Sequence, residues 1–355
     1  MAGTKIGHLR VERGGRAFGF LPIATAADGG ELGIPVHVIA GSNEGPKLVI
    51  MSSAHGYEIR QISVLQTLFQ TIDHNRLNGT LVMIPVANPV SFEMGARCTW
   101  VDSLWGDSGN MNRLWPGRVN GWLTERFCYA ISSQVIPGAS AVIDLHGSTS
   151  GLAVAYGYLG TGKDGDLDYD ISRAFGHEIL VYNTPEEISE KRQQGTSKSW
   201  LRSIGIPSYS CEIGEFYGLE SERGKRPLSE LFRGVPEVGV TGVTNVMKHL
   251  GMLEGETSRP RAQVVVQPEL NLRPSHGGLL VTNVGIEDIG RIFPKETVFG
   301  TVISPYSFKE LETITAPFDQ NLLLGSVYLK PFTKVNPGDY GYLVADWSRT
   351  QWLQG

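Results

Sequence analysis

Four short stretches of the sequence carry residue types that hydrolytic metal chemistry uses. The first is His55-Gly56-Tyr57-Glu58, at the end of the apolar run PKLVIMSSAHG. Imidazole nitrogen and carboxylate oxygen are ligands of hydrolytic zinc sites, which typically take one more histidine and keep a position open for water. A histidine and a glutamate three residues apart across a strand-to-helix turn can face one point. Alone, the same pattern also describes a turn histidine beside a glutamate favoured by a helix N-terminus. The second stretch, AVIDLHG, is another apolar run that ends in a histidine, His146. His55, Glu58 and His146 then complete a His₂Glu set for one zinc ion per chain. Asp144, two residues before His146, shares its strand face and is placed to orient that ring.

The third stretch is Asn88-Pro89, then Arg97, then Asn110-Met-Asn112-Arg113-Leu-Trp-Pro116-Gly117. Asn112 and Arg113 set an amide beside a guanidinium, a fork that fits a carboxylate. Arg97 is a fixed cation able to polarise a carbonyl. The fourth is IPSYSCEIGE, where Glu212 or Glu215 sits at a strand end, suited to take a proton from water. Glu212 ends the apolar run just before Gly214, where the chain can turn and leave the carboxylate at the sheet edge. Glu215 lies beyond that turn, beside Phe216 and Tyr217. The other histidines (His8, His37, His74, His177, His249, His276) have no partner at ligand spacing.

These residues need strand ends to hold them, and the pattern supplies strands. Apolar runs at 47–52, 80–89, 141–147 and 206–214 alternate with helical periodicity at 58–72, 121–136, 167–177, 196–204 and 239–252. That alternation predicts an α/β fold with a mostly parallel, mixed sheet flanked by helices, whose strand C-termini form the ligand edge. Residues 90–120 hold turn-formers and tryptophans with little periodicity and read as a long functional loop. After the polar stretch GETSRPRAQ only short strands remain, beginning with QVVVQ and separated by Gly, Pro, Asn and Asp. The chain thus divides into a catalytic domain, 1–255, and a smaller all-β module, 256–355.

Composition excludes several classes. Charged residues are 19% and aromatics 9% of 355 residues, so the chain is not disordered. A net charge of −5 offers no field for nucleic acid or an anionic membrane. Three scattered cysteines give neither a disulfide framework nor a CxxC site. The N-terminal MAGTKIGHLRVERGGR has no signal-peptide core, and no apolar run approaches a membrane span, so the expected location is the cytosol. Gly160-Thr-Gly-Lys-Asp-Gly165 imitates a dinucleotide fingerprint, but Asp164, Asp166, Asp168 and Asp170 crowd the would-be phosphate position. No GxSxG elbow occurs.

In order, the motifs HxxE, Asn-Pro followed by Arg, NxNRxxPG, DLHG and ExG resemble the succinylglutamate desuccinylase/aspartoacylase family of zinc deacylases, relatives of the zinc carboxypeptidases. Within that family the pattern is most similar to the branch containing N-acetyl-diaminobutyrate deacetylase. The resemblance runs over nearly the whole chain, including a C-terminal β-barrel-like module. It implies that His55, Glu58 and His146 hold zinc and that Glu212 is the general base. It further implies that Arg97 polarises the scissile carbonyl, that Asn112 and Arg113 hold a substrate carboxylate, and that Arg202 falls near a substrate-binding arginine. Tyr57 and Asn110 stand where the family often has aspartates, and Trp105 and Trp115 add bulk near the site. The expected activity is hydrolysis of an N-acyl amino acid or related small amide, with the acyl group, the amine and any homo-oligomer left open. A carboxypeptidase-like peptidase and a non-catalytic binding protein on the same fold are the alternatives.

Overall fold

The computed structural model describes residues 3–103, 109–147, 152–160, 162–182, 195–214, 235–267, 269–328 and 331–354. Trp105 and Glu215 lie outside the described residues. A hairpin of β1 (Thr4–Ile6) and β2 (Leu9–Val11) precedes a ten-stranded mixed sheet. Its strands in chain order are β3 (Arg16–Thr25), β4 (Glu31–Ala40), β5 (Asn43–Ser52), β6 (Asn78–Ile84), β7 (Ala141–His146), then, past the separate β8 (Leu152–Ala153), β9 (Tyr156–Tyr158), β10 (Ile179–Val181), β11 (Ser208–Glu212) and β12 (Ala262–Val266). A last strand, β21 (Gln351–Gln354), completes it. Across the sheet the order is β21-β12-β10-β9-β11-β7-β5-β6-β4-β3. The centre, β11-β7-β5-β6, is parallel, and β4 and β3 extend it antiparallel.

Strict alternation explains why these runs are buried on both faces. Leu48 and Ile50 of β5 and Ile143 and Leu145 of β7 pack toward α1 (Ile62–Thr71), while Val49, Met51 and Val142 pack the other way. Short helices α2 (Pro89–Glu93) and α3 (Trp100–Ser103) follow β6. Next, α4 (Leu123–Ala130) covers that second face through Phe127 and Cys128. The first face is covered by α1, by α5 (Leu167–Phe175) and, beyond α6 (Ser197–Ser203), by α7 (Val235–His249).

The remaining strands form two antiparallel sheets. One is β13 (Glu269–Leu272) against β20 (Tyr342–Asp346), β18 (Gln320–Ser326) and β15 (Ile292–Pro294). The other is β17 (Glu310–Thr315), β16 (Val298–Ile303), β14 (Gly278–Thr282) and β19 (Phe332–Val335). Their shared core, with Leu280, Phe299, Leu323 and Tyr342, is continuous with Tyr156, Val181 and Val266 of the large sheet.

Several elements differ from the sequence reading. Strand β12, expected to open the all-β module as QVVVQ, pairs parallel with β10 in the large sheet. Its consecutive valines are buried on both faces, as an interior strand requires. Between the expected runs at 141–147 and 206–214 the chain adds further strands, with β8 joining β18 and β9 joining the large sheet. Residues 90–120 contain α2, α3 and a 3₁₀ turn at Met111–Arg113. Asn88 and Pro89 are a helix start: Asn88 Oδ1 accepts from Ser91 N at 3.2 Å, with Pro89 at the first helical position.

Helix α1 begins at Ile62 rather than Glu58, because 53–61 fold into a tight turn. Ser53 takes φ +53° after β5, its Oγ donates to the Glu58 carbonyl at 2.8 Å, and Gly56 N donates to Ala96 O at 2.8 Å. A Cβ on Gly56 would lie 1.8 Å from Ser91 O. Gly56→Ala is therefore expected to destabilise by about 1–3 kcal/mol, since backbone rather than a movable side chain must shift. The urea midpoint measures it, and an unchanged midpoint would show that the turn yields freely.

Candidate active site

At the C-terminal edge of β5 and β7 three buried side chains meet. His55 Nδ1 lies 2.7 Å from Glu58 Oε1, and His146 Nδ1 lies 3.0 Å from Glu58 Oε2. One nitrogen or oxygen from each of the three lies within 4.8 Å of the others. The outer nitrogens face polar partners as well: His55 Nε2 is 3.2 Å from Asn110 Oδ1, and His146 Nε2 lies 3.1 Å from Asp144 Oδ2, at ion-pair distance but without hydrogen-bond geometry. Inner nitrogens grouped around a carboxylate, with outer nitrogens oriented by polar partners, suit a metal's ligands and their supports. Asp144 in turn accepts from Ser197 Oγ at the start of α6.

Burial alone would raise the Glu58 carboxyl's pKa. The two imidazoles outweigh burial and hold it well below the usual carboxylate range. The imidazoles themselves diverge. Burial lowers both, but His146 faces Asp144 as well as Glu58 and is pushed up, whereas His55 has Glu58 alone, with Arg97 and His146 opposing, and stays low.

Glu212 ends β11 directly beside His146 in the parallel register, so both side chains leave the same sheet face. Its Oε2 is buried without a hydrogen-bond partner. Burial, then repulsion from Glu58, raise its pKa well above the ordinary carboxylate value. A carboxyl shifted upward by burial and a like charge is the kind of group that acid–base sites use.

Arg97 Nη1 donates to Tyr57 Oη at 2.7 Å. Tyrosine in place of an aspartate anchors this guanidinium without cancelling its charge. Arg97 also lies over the ring of Tyr340, 5.2 Å from its centre, while Arg273 lies 4.1 Å from the same centre. Arg113 is half-buried, its pKa lowered by burial, with the Arg97 charge also lowering it. Asn112 Oδ1 accepts from Ser197 N at 3.1 Å and so fastens α6 to the Arg113 turn, an interaction that does not engage its Nδ2 donors.

The structure does not bring Arg202 to this cluster. Its Nη2 lies 4.0 Å from Asp168 Oδ2, and Asp168 Oδ1 accepts from Ser208 N at the opposite end of β11 from Glu212. Four residues of strand separate the two ends by roughly 13 Å. The acidic loop is no phosphate cradle either, since Asp166 and Asp170 take the N–H groups of Lys163 and Gly165. His276 faces Glu312 on β17, at 3.5 Å. Sequence reasoning missed Tyr340, Arg273 and Glu269, contributed by the C-terminal strands. The available signal was charge within short strands, as in QPELNLRP.

Residues 44–228, just over half of the chain, match the model of the succinylglutamate desuccinylase/aspartoacylase catalytic domain. The chain belongs to the succinylglutamate desuccinylase/aspartoacylase family. A curated relative, N-alpha-acetyl-L-2,4-diaminobutyric acid deacetylase of Halomonas elongata, is 24% identical over 78% of each chain. Among solved structures, the product-bound ectoine utilization protein EutE (DoeB) of Ruegeria pomeroyi is similar with a TM-score of 0.76 and 20% identity, covering 95% of this chain and 97% of the other. A succinylglutamate desuccinylase of Silicibacter sp. TM1040 is similar at TM-score 0.76 and 21% identity, covering 98% and 99%. These likenesses establish the desuccinylase/aspartoacylase fold, a large mixed sheet with C-terminal antiparallel sheets. Among the described residues no helix is long and apolar enough to cross a membrane.

Proposed function

We propose that this chain is a zinc-dependent amidohydrolase that removes the acyl group from an N-acyl amino acid. The reading rests on one observation above others: Glu212, with an unpartnered buried oxygen, stands beside His146 on the face where His55, Glu58 and His146 converge. Two imidazoles and a carboxylate are the donor set of hydrolytic zinc sites, and these three residues would hold the ion. Zinc there would acidify water and act as a Lewis acid toward a carbonyl.

The chain's own groups supply the rest. Glu212 takes the proton of the attacking water and returns it to the departing amine. Arg97, held by Tyr57, donates to the carbonyl oxygen as negative charge builds there. Arg113 receives the substrate carboxylate. Tyr340, stacked on Arg97, puts bulk from the C-terminal region beside the site, which favours a small amide over a long peptide.

Metal analysis of the purified protein, followed by a screen of N-acyl amino acids, tests this directly. One zinc per chain with turnover supports it. Zinc without turnover on a broad panel would favour the binding-protein alternative. For the carboxylate contact, Arg113→Lys keeps the charge but loses the planar fork, so KM should rise more than kcat falls. Equal activity on carboxylate and carboxamide forms of one substrate would sink that assignment.

A further inference from the structure

Besides Glu58 and Glu212, a further buried acid lies within electrostatic reach of the site, and it has no counter-ion among the described residues. Glu269 opens β13, and its Oε1 is 3.5 Å from the Tyr158 hydroxyl, at the long limit of a hydrogen bond. Among the described residues it forms no ion pair. Tyr158 stands on β9 two residues beyond Tyr156, the register partner of Glu212, so Tyr156, Tyr158 and Glu212 share one face. The Tyr156 and Tyr158 rings meet edge-to-face with centres 5.7 Å apart. Glu269 is near enough to Glu212 for its charge to push that carboxyl up further. Lys198, the cation beside Tyr158, donates instead to the Tyr158 carbonyl at 3.3 Å and feels Asp168.

The nearby cations are likewise without ion-pair partners. Arg97 and Arg273 enclose Tyr340, Arg113 feels both Arg97 and Tyr340, and none of the three arginines has a carboxylate at ion-pair distance among the described residues. Arginines and an acid, neither with an ion-pair partner among the described residues, thus both act on the neighbourhood of Glu212: Glu269 raises its carboxyl and Arg97 lowers it. A buried charge without a partner is costly, and a ligand of opposite sign offsets that cost.

We propose that Glu269 is a specificity-determining residue that receives a cationic ammonium group on the amino-acid part of the substrate, while the arginines take its carboxylate. Burial holds the Glu269 carboxyl at about 7, so a cation that ionises it gains a charge-assisted contact. The same carboxylate repels an acidic side chain. This rests on the deacylase reading, which the experiment separates from it.

Two assays are run on metal-loaded protein. Hydrolysis of N-acetyl-2,4-diaminobutyrate is compared with that of N-acetyl-2-aminobutyrate and N-acetylaspartate. Calorimetric binding of free 2,4-diaminobutyrate is compared with that of 2-aminobutyrate, and this needs no turnover. The expected result is a preference of at least roughly tenfold for the cation-bearing member in both assays. Glu269→Gln should abolish that preference in the hydrolysis ratio and in the binding ratio, each taken against the neutral compound of the same variant, and leave the zinc content unchanged. Glu269→Asp, which keeps the charge, should retain it, and this second variant covers misfolding of the first. A preference absent in wild type, or intact in Glu269→Gln, overturns the proposal. Preferential binding lost in Glu269→Gln but without hydrolysis of any N-acyl compound overturns the deacylase reading and leaves the role of Glu269 standing.

Discussion

Glu212→Gln should keep its zinc and its affinity for substrate and lose at least about a hundredfold in kcat, within the 10²–10⁴ typical of general-base loss. The amide is nearly isosteric with the acid, so β11 and its pairing with β7 need not move. What disappears is the buried oxygen that can take a proton beside His146. An unchanged KM with a collapsed kcat is the signature of a group that works in the transition state. If Glu212→Gln retained most of its activity, the base would be another group and Glu212 a structural carboxylate at a strand end.

The second large effect is expected at the proposed metal ligands. His146→Ala should lose zinc and, with it, activity, while the protein stays folded. The apolar residues of β7, Ala141, Val142, Ile143 and Leu145, remain fully buried whatever occupies position 146. The loss also leaves Asp144 and Glu58 facing an emptied position, so the variant should be less stable than wild type but cooperative in its melting. Metal content by elemental analysis, beside circular dichroism, decides it. Zinc retained at full stoichiometry and affinity would remove His146 from the ligand set.

The residues brought to this edge were legible where local pattern and fold agree. His146 and Glu212 each end an apolar run, and an interior strand of an α/β sheet must end at one of its two edges, so their meeting follows from strand direction. His55 and Glu58 belong to a single turn and are close whatever the rest of the chain does. Arg202 was placed by the resemblance, from its position ten residues before Glu212. That count ignores direction: α6 runs away from the site before β11 returns to it, so ten residues of sequence lead to the far end of the sheet. Glu269, Arg273 and Tyr340 were illegible for another reason. Their position depends on how the C-terminal strands dock against Tyr156 and Val181, a contact between segments far apart in the chain that no local period records.

The two outermost strands on one side of the ten-stranded sheet are β12 and β21, one entering and the other leaving the C-terminal sheets. Those sheets therefore hang from the larger one like a door mounted at both jambs. A part joined by one crossing can swing about its linker. A part whose two ends are hydrogen-bonded to each other, Ala262 opposite Gln354 and Val265 opposite Gln351, can swing only by tearing that seam. Traffic through the pocket must then be managed by side chains and loops, with the three residues those strands contribute staying in alignment while a ligand comes and goes.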